Sequence, residues 1–335
     1  GGDGGASQFH VLPLHGALPS TEQSQVFGPA PRGKVKVVVA TNIAETSITI
    51  PDCTVVIDSC RVKQTGLDPR SSLPFLADSW AAQDALKQRR GRAGRVRDGC
   101  CYRLVTRCLY NSLPEHTTPE ICRSPLEQYV LKVKATRYGS PQKFFAMFLD
   151  APSPDAVRSA IVSLRDIGAL EVNNEKNFEQ GNRLLITSLG DHLVRLPCSP
   201  RVGKLLVFGA LLGVLDPILS IAAALSLRSP LLKPTDLQHQ ERLALQRSSQ
   251  CGRSDHCFLA AIWESWQIEV SPHRRYIFCN TLGISFVRMV EISHLRKQLA
   301  ESLWSLGFSI ESGYSFVSQP IAKWRVVSAV LCAAF

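Results

Sequence analysis

The stretch KVKVVVATN (residues 34–42) decides the fold predicted for the first part of this chain. It is a short apolar run that ends in polar residues, as buried parallel strands do. Similar runs, FHVLPLHG (9–16) and CTVVIDSCRVK (53–63), stand before and after it. Between the first two runs, Ser20 and Gln23 have the spacing of a capping box that opens a short helix. Strand, helix and strand together predict a right-handed crossover in an α/β sheet.

The pattern becomes helical from roughly Thr118 to Ile186. Apolar residues recur at three- and four-residue intervals in SPLEQYVLKVKATR (124–137) and SPDAVRSAIVSLRDIGALEV (153–172). A polar turn flanked by strand-like residues follows in NNEKNFEQGNRLLIT (173–187). Two helices and a hairpin form the outline of a winged helix. From Asp191 to about Phe308 the chain is again predicted to be helical.

One segment, residues 205–227, has the length of a membrane span and carries a single charge. That charge is Asp216, and Pro217 follows it, which is how a helix inside a folded domain begins. We therefore expect two buried helices, one ending near Val214 and one starting at Pro217, with no membrane partner. A membrane span is the alternative.

The composition excludes a largely disordered chain, since 45% of the 335 residues are hydrophobic and 20% are charged. The net charge of +10 favours a polyanionic partner. Eleven cysteines without CxxC spacing, and no signal peptide, indicate reduced thiols in the cytosol or nucleus. Cys251, His256 and Cys257 lack a second ligand pair at zinc-site spacing, so no metal site is expected.

The segment QRRGRAGR (88–95) combines arginines with glycines. Arg92 and Arg95 would share one face if the segment were helical, and Gly91 and Gly94 would keep bulk away from that face. A guanidinium group can donate two hydrogen bonds to one phosphate and stays charged. Two of them suit a transferring γ-phosphoryl group. The alternative is a nuclear-localisation or generic RNA-binding patch.

Thr41 and Asn42 follow the strand directly, at the sheet edge where open α/β sheets bind ligands. Here the chain resembles a known family. TNIAETSITI (41–50) is similar to motif V, and QRRGRAGR to motif VI, of the DEAH/RHA group of DExH-box RNA helicases, with about forty residues between them as in that group.

The resemblance implies a role for each matching residue in hydrolysis. Arg92 and Arg95 would be arginine fingers on the γ-phosphate of ATP, and Gln88 would help hold the attacking water or the phosphate. The chain has no phosphate-binding GxxxxGK[ST] segment. ATP with Mg²⁺ would therefore bind against a first RecA-like domain of the same protein, which would hold the metal ion.

The resemblance also implies nucleotide contacts. Thr49 would contact the ribose, and Phe27 would stack on the base, although Phe27 alone would be interpreted as a core residue at a helix end. The group commonly places an Asp directly after TI to bind the ribose. Here Pro51 stands there and Asp52 follows, so the contact would be weakened or supplied one residue later. Cys60 stands where a glycine is usual, which would stiffen that turn.

RNA contacts are implied at three places. Thr41, Asn42 and Gly16 would contact the RNA backbone. The segment 61–78 is predicted to be a hairpin, which in the group projects towards the RNA during strand separation. An exposed loop without a role is the alternative for this hairpin.

The predicted fold class is multi-domain, α/β followed by α. We expect a tail at 1–8, a partial second RecA-like parallel-sheet domain at 9–117 and a winged helix at 118–190. A helical-bundle (ratchet) domain would occupy 191–315, and a truncated OB-fold would start at 316–335.

The expected function is that of an ATP-dependent RNA helicase moving 3′ to 5′. SITIPD (47–52), GRAGRVRDGCCYRL (91–104) and GKLLVFGALLGVLDP (203–217) look most like group members that act with the small ribosomal subunit in translation initiation. The chain would then be cytoplasmic, with a nuclear location as the alternative. The competing functions are a non-catalytic RNP-binding scaffold, a splicing-type helicase and a DNA helicase.

Overall fold

The computed structural model divides the chain into two compact units, Gly1–Ser124 and Pro125–Phe335. It describes residues 8–335 apart from 17, 19, 47, 49, 68–73, 95–97, 137, 173–183, 250, 253 and 309–319. The elements of the first unit are β1 Phe9–Leu14, α1 Ser20–Gln23, a 3₁₀ turn Ser24–Phe27, β2 Val35–Ala40, α2 Ile43–Thr46, β3 Val55–Asp58, β4 Arg61–Leu67, β5 Pro74–Trp80, α3 Gln83–Arg90, β6 Cys100–Arg103, α4 Arg107–Ser112 and a 3₁₀ turn Glu120–Cys122.

The first unit contains two pairs of parallel strands. β1 lies beside β2, with Leu14 opposite Ala40, and β3 lies beside β6. The predicted succession of strand, short helix and parallel strand is confirmed for β1, α1 and β2. The Gln23 side-chain amide donates to the carbonyl of Leu18 at 2.8 Å. The capping box stays a prediction, because the side chain of Ser20 lies outside the described residues.

The hairpin predicted at 61–78 is confirmed as the antiparallel pair of β4 and β5, and its turn lies outside the described residues. Arg61 lies over the ring of Trp80 at 4.0 Å, which stabilises the open end of the hairpin. Cys60, just before β4, has a φ of 58°, so the turn has the left-handed backbone for which glycine is usual. The Asp58 carboxylate accepts the backbone N–H of Cys60 at 2.8 Å and so favours this turn.

Two apolar clusters position the site elements. Leu12, Leu14 and Val26 are buried together and pack the turn before Gly28 against β1. A second cluster fixes α3 against the start of the hairpin and is formed by Cys60, Ala81, Ala85, Leu86 and Leu113.

The second unit is mostly helical. Its elements are α5 Glu127–Ala135, α6 Pro141–Phe145, α7 Pro154–Asp166, β7 Leu170–Val172, β8 Leu184–Ile186, α8 Ser188–Arg195, α9 Pro200–Leu211, α10 Leu215–Ser226, α11 Asp236–Ser248, α12 Asp255–Ile268, α13 Pro272–Leu282, α14 Phe286–Ser305 and α15 Pro320–Ala334. The predicted outline of helices followed by a hairpin is confirmed, since β7 and β8 pair antiparallel after α5 and α7. The polar turn at 173–183 lies outside the described residues.

The apolar segment 205–227 is divided between two helices, as predicted, because the chain turns at Gly213 with a φ of 68°. The predicted capping role of Asp216 was wrong. Val214 holds the cap position, and Asp216 lies in the first turn of α10, where its carboxylate pairs with Arg296 at 2.6 Å. Among the described helices, none is both long enough and apolar enough to cross a membrane.

The C-terminal segment forms α15, which packs on α9 and α12. Its described residues therefore extend the helical unit, and an OB-fold starting at 316 stays a prediction. The expected limits at 117, 190 and 315 also stay predictions, beside the division after Ser124.

Candidate functional site

The expected RNA-contacting residues lie together at one edge of the sheet. Because β1 and β2 are parallel and in register, Gly16 and Thr41 both follow the carboxyl ends of their strands. The amide of Thr41 donates to the carbonyl of Leu14 at 3.0 Å. Thr41 and Asn42 are exposed, and a Cβ added at Gly16 would meet no atom within 4 Å. This edge offers hydroxyl, amide and bare backbone groups to a partner.

The arginine-rich segment is only partly helical. α3 ends at Arg90, and the amides of Arg92 and Ala93 close tight turns on Arg89 and Arg90. Gly94 has a φ of 87°, so the glycine there supplies a left-handed backbone. The helical face proposed for Arg92 and Arg95 is therefore not formed at Arg92. Arg95 lies outside the described residues.

Arg92 reaches the segment that follows Thr41 and Asn42. Its guanidinium donates to the backbone carbonyl of Glu45, and to that of Ile48 at 3.5 Å. Its Nε is buried and has no hydrogen-bond partner among the described residues. Arg92 thus lies on the surface that carries the TNIAETSITI segment.

Arg89 is the structural centre of this surface. It contacts Glu45 Oε2 at 3.0 Å, Asp58 Oδ1 at 3.1 Å and the carbonyl of Arg61 at 3.1 Å. Burial opposes its charge, but the hydrogen bond to Glu45 and the charge of Asp58 outweigh that effect, and the pKa of Arg89 is raised. One arginine therefore ties α3 to α2, β3 and β4. No pattern in the sequence distinguishes the role of this arginine from that of its neighbours.

A cleft of about 530 Å³ runs along β2 and past the arginine turn. Its lining includes Lys36, Thr41, Asn42, Asp52, Arg89 and Arg92. The cleft therefore joins one expected ribose-binding residue, two expected RNA-contacting residues and one expected finger. Gln88 is exposed in the last turn of α3 and is not among the residues that line the cleft. Thr49 lies outside the described residues.

Phe27 and Asp52 are linked by a lysine that the sequence analysis did not select. Phe27 is 48% exposed, which contradicts the alternative of a core residue. The Lys36 ammonium donates to the carbonyls of Val26 and Gly28 at 2.9 Å each and contacts Asp52 Oδ1 at 2.7 Å. The available signal was a single lysine inside the apolar run VKVVV, since a charge at such a place needs partners.

Comparison with known proteins shows what these two units are similar to. Residues 4–97 match the helicase conserved C-terminal domain, and residues 199–259 match the ratchet-like helicase associated domain (HA2). The first match includes the segments 41–50 and 88–95, and the second includes α9, α10 and α11. The chain thus combines a RecA-like helicase domain with a helicase-associated helical domain.

Relatives extend the similarity along the chain. DExH-box ATP-dependent RNA helicase DExH1 of Arabidopsis thaliana is 38% identical over 332 residues, 98% of this chain and 32% of the relative. ATP-dependent DNA/RNA helicase DHX36 of Homo sapiens is 35% identical over 335 residues, again 98% and 32%. Putative ATP-dependent RNA helicase DHX57 of Homo sapiens is 37% identical over 307 residues, 90% and 21%. The chain spans about a third or less of these relatives. Over most of its length the chain is thus similar to DExH-box helicases.

Proposed function

We propose that this chain supplies the second RecA-like domain and accessory domains of an ATP-dependent RNA helicase. Arg92, with Arg95, would stabilise the charge that develops on the γ-phosphoryl group of ATP held against a first RecA-like domain. Gln88 would orient the attacking water or the phosphate. Opening and closing of the two RecA-like domains around ATP would move RNA 3′ to 5′ past the edge at Gly16, Thr41 and Asn42.

The observation that carries this proposal is the position of Arg92. Its guanidinium donates to the Glu45 and Ile48 carbonyls, keeps its Nε unpaired within the described residues, and lines the cleft that contains Asp52. A generic basic patch would leave its arginines in solvent. Arg92 is instead held against the segment 41–50, which also contains the expected RNA-contacting residues Thr41 and Asn42. Electrostatic positioning is the main contribution that a protein makes to phosphoryl transfer.

The test is Arg92→Ala in the complete protein that contains this chain. Loss of an arginine finger lowers the RNA-stimulated rate of ATP hydrolysis by about 10³-fold, with RNA affinity changed by less than about threefold. Arg90→Ala is the matched control, because Arg90 is exposed at the end of the same helix. Equal turnover in Arg92→Ala and Arg90→Ala would reject the finger, and Arg95→Ala repeats the test at the second position.

For the physiological setting we propose structured mRNA on the small ribosomal subunit during translation initiation, in the cytoplasm. The support is the likeness of the segments 47–52, 91–104 and 203–217 to such helicases, together with a net charge of +10 that suits an RNA partner. Sedimentation of the native protein tests this setting. Cosedimentation with the small subunit supports it, and cosedimentation with spliceosomal particles would favour the splicing-type alternative.

A DNA substrate is the second candidate, since the human relative DHX36 is described as a DNA/RNA helicase. Backbone contacts distinguish RNA from DNA only through the 2′-hydroxyl. Unwinding of matched RNA and DNA duplexes separates the two.

A non-catalytic scaffold is disfavoured by the arginine turn and favoured only by Pro51. A complete protein with no ATP turnover in the presence of RNA would support the scaffold.

A further inference from the structure

The ammonium group of Lys36 has a complete and converging set of partners. Its side chain is 8% exposed, and its three acceptors are the carbonyls of Val26 and Gly28 and the carboxylate of Asp52, all within 2.9 Å. A lysine ammonium has three N–H donors, so every donor is used. Such a buried charge is retained only where its partners are fixed, because burial without them is costly.

The two carbonyls stand on either side of Phe27. Val26 is buried at 1% exposure and anchors the turn in the core, while the ring of Phe27 is 48% exposed. Lys36 therefore holds the carbonyl groups of the two residues that flank Phe27, and the turn leaves Phe27 exposed to solvent. The third contact holds the Asp52 carboxylate, whose side chain is 40% exposed. One ammonium group thus fixes the distance between an exposed aromatic ring and an exposed carboxylate.

We propose that Lys36 is a positioning residue that sets Phe27 against the nucleobase and Asp52 against the ribose of the same nucleotide. The inference rests on the proposed function and assigns to Asp52 the ribose hydrogen bond that the side chain of Pro51 cannot make. A flat ring suits stacking on any base, and a carboxylate accepts hydrogen bonds from ribose hydroxyls. Lys36 itself touches neither group of the nucleotide and acts through both residues.

The test compares ATP with 2′-deoxy-ATP as substrates of the complete protein at saturating RNA. Lys36→Met keeps the length of the side chain and removes the charge. It raises KM for ATP by about tenfold while kcat stays within about twofold, since removal of a charge-assisted hydrogen bond weakens binding rather than the chemical step. The ratio of the KM values for 2′-deoxy-ATP and ATP falls towards one. Asp52→Asn lowers the same ratio. In the double variant this ratio falls no further than in Lys36→Met alone.

Three controls separate positioning from a merely structural role. Lys34→Met removes the same charge two residues away, where the side chain is exposed, and leaves KM and the ratio unchanged. Lys36→Arg keeps the charge but cannot converge on all three acceptors, so its KM lies between those of wild type and Lys36→Met. Where Lys36→Met does not fold, Asp52→Asn and Lys36→Arg decide the question, because the first changes a partly exposed side chain and the second keeps the charge.

The proposal is overturned if Lys36→Met melts at a lower temperature but keeps the wild-type KM ratio, or if wild type itself does not distinguish the two nucleotides. Its failure is distinct from failure of the proposed function. If only the positioning role of Lys36 fails, Arg92→Ala still removes nearly all RNA-stimulated turnover. Absence of any turnover in wild type removes the helicase function itself.

Discussion

Arg89 and Arg92 are three residues apart and have different tasks, which only their contacts reveal. Arg89 is 14% exposed at its side chain and lies between two carboxylates, whereas Arg92 contacts backbone carbonyls and keeps an unpaired Nε among the described residues. A paired and buried arginine holds the fold, whereas Arg92 is only partly buried and lines the cleft beside Asp52. The helix ends at Arg90, with Gly91 at its C-cap, so Arg89 lies inside α3 and Arg92 lies beyond it.

Replacement of Arg89 by methionine is expected to destabilise the first unit by about 3 kcal/mol, because it leaves two largely buried carboxylates without their partner. The same change at the exposed Arg90 shifts the free energy of unfolding by less than about 0.5 kcal/mol. Urea unfolding of both variants checks the difference. Similar losses in the two variants would mean that Glu45 and Asp58 find other partners.

At the scale of the element, the start of α8 depends on a glycine. Gly190 lies in the first turn of this helix, and its amide donates to the Thr187 hydroxyl at 3.1 Å. A Cβ at Gly190 would lie 2.2 Å from the carbonyl oxygen of Ala169. That oxygen also accepts the amide of Thr187 at 3.1 Å, so it cannot move without breaking the join between α7 and α8.

Gly190→Ala is therefore expected to lower the free energy of unfolding by about 2 kcal/mol or more, despite the better helix propensity of alanine. Gly203→Ala in α9 is the comparison. Its Cβ would lie 2.7 Å from the end of the Leu193 side chain and at ordinary contact distance from Leu196 and Cys198, and it would meet no carbonyl oxygen among its three nearest atoms. A gain of up to about 1 kcal/mol from helix propensity offsets that contact. Thermal unfolding ranks the two variants, and the reverse order would contradict the argument from the backbone carbonyl.

The sequence predicted the elements better than their partners. Apolar runs identified β1, β2 and β3, and residue spacing identified α5 and α7, because burial imposes those periods locally. The pairing of β3 with β6 and the contacts of Lys36 join residues far apart in the chain, which no local pattern reports. The sequence also identified the break in the segment 205–227 but misassigned Asp216, whose partner Arg296 lies 80 residues away.

For the site, the residue types were predictable and their geometry was not. Thr41, Asn42 and Arg92 were selected from the sequence, and the structure brings them to one cleft. The contact of Arg92 with the Glu45 and Ile48 carbonyls joins residues 44 and 47 positions apart, and glycine spacing does not specify such a contact. Arg95 and Thr49 stay predictions.

At the scale of the molecule, buried thiols in the helical unit make stability depend on alkaline pH. Burial raises the pKa of Cys198 to about 12 and that of Cys279 to about 11. In the unfolded chain these thiols ionise from about pH 8.5. Between that value and the folded pKa the unfolded chain binds fewer protons, so its free energy falls relative to the folded state.

The free energy of unfolding is thus expected to be level up to about pH 8 and to decline between about pH 9 and 11. Urea unfolding followed by circular dichroism at several pH values measures the decline. Cys198→Ala combined with Cys279→Ala flattens it. An identical decline in wild type and in the double variant would show that these thiols do not contribute.

The hairpin of the first unit carries a consequence for optical measurements. Residues 1–124 contain one tryptophan, Trp80, which stands 39% exposed beside the Arg61 guanidinium. The second unit holds the other four indoles, of which Trp263, Trp266 and Trp324 are each no more than 6% exposed. Trp304 is the fourth indole of that unit and is 71% exposed. Trp80 emits at longer wavelength than the three buried indoles, and the difference between the spectra of wild type and Trp80→Phe isolates its contribution. A change in that difference spectrum on addition of a nucleic acid would report contact with the hairpin, since the other indoles all lie in the second unit.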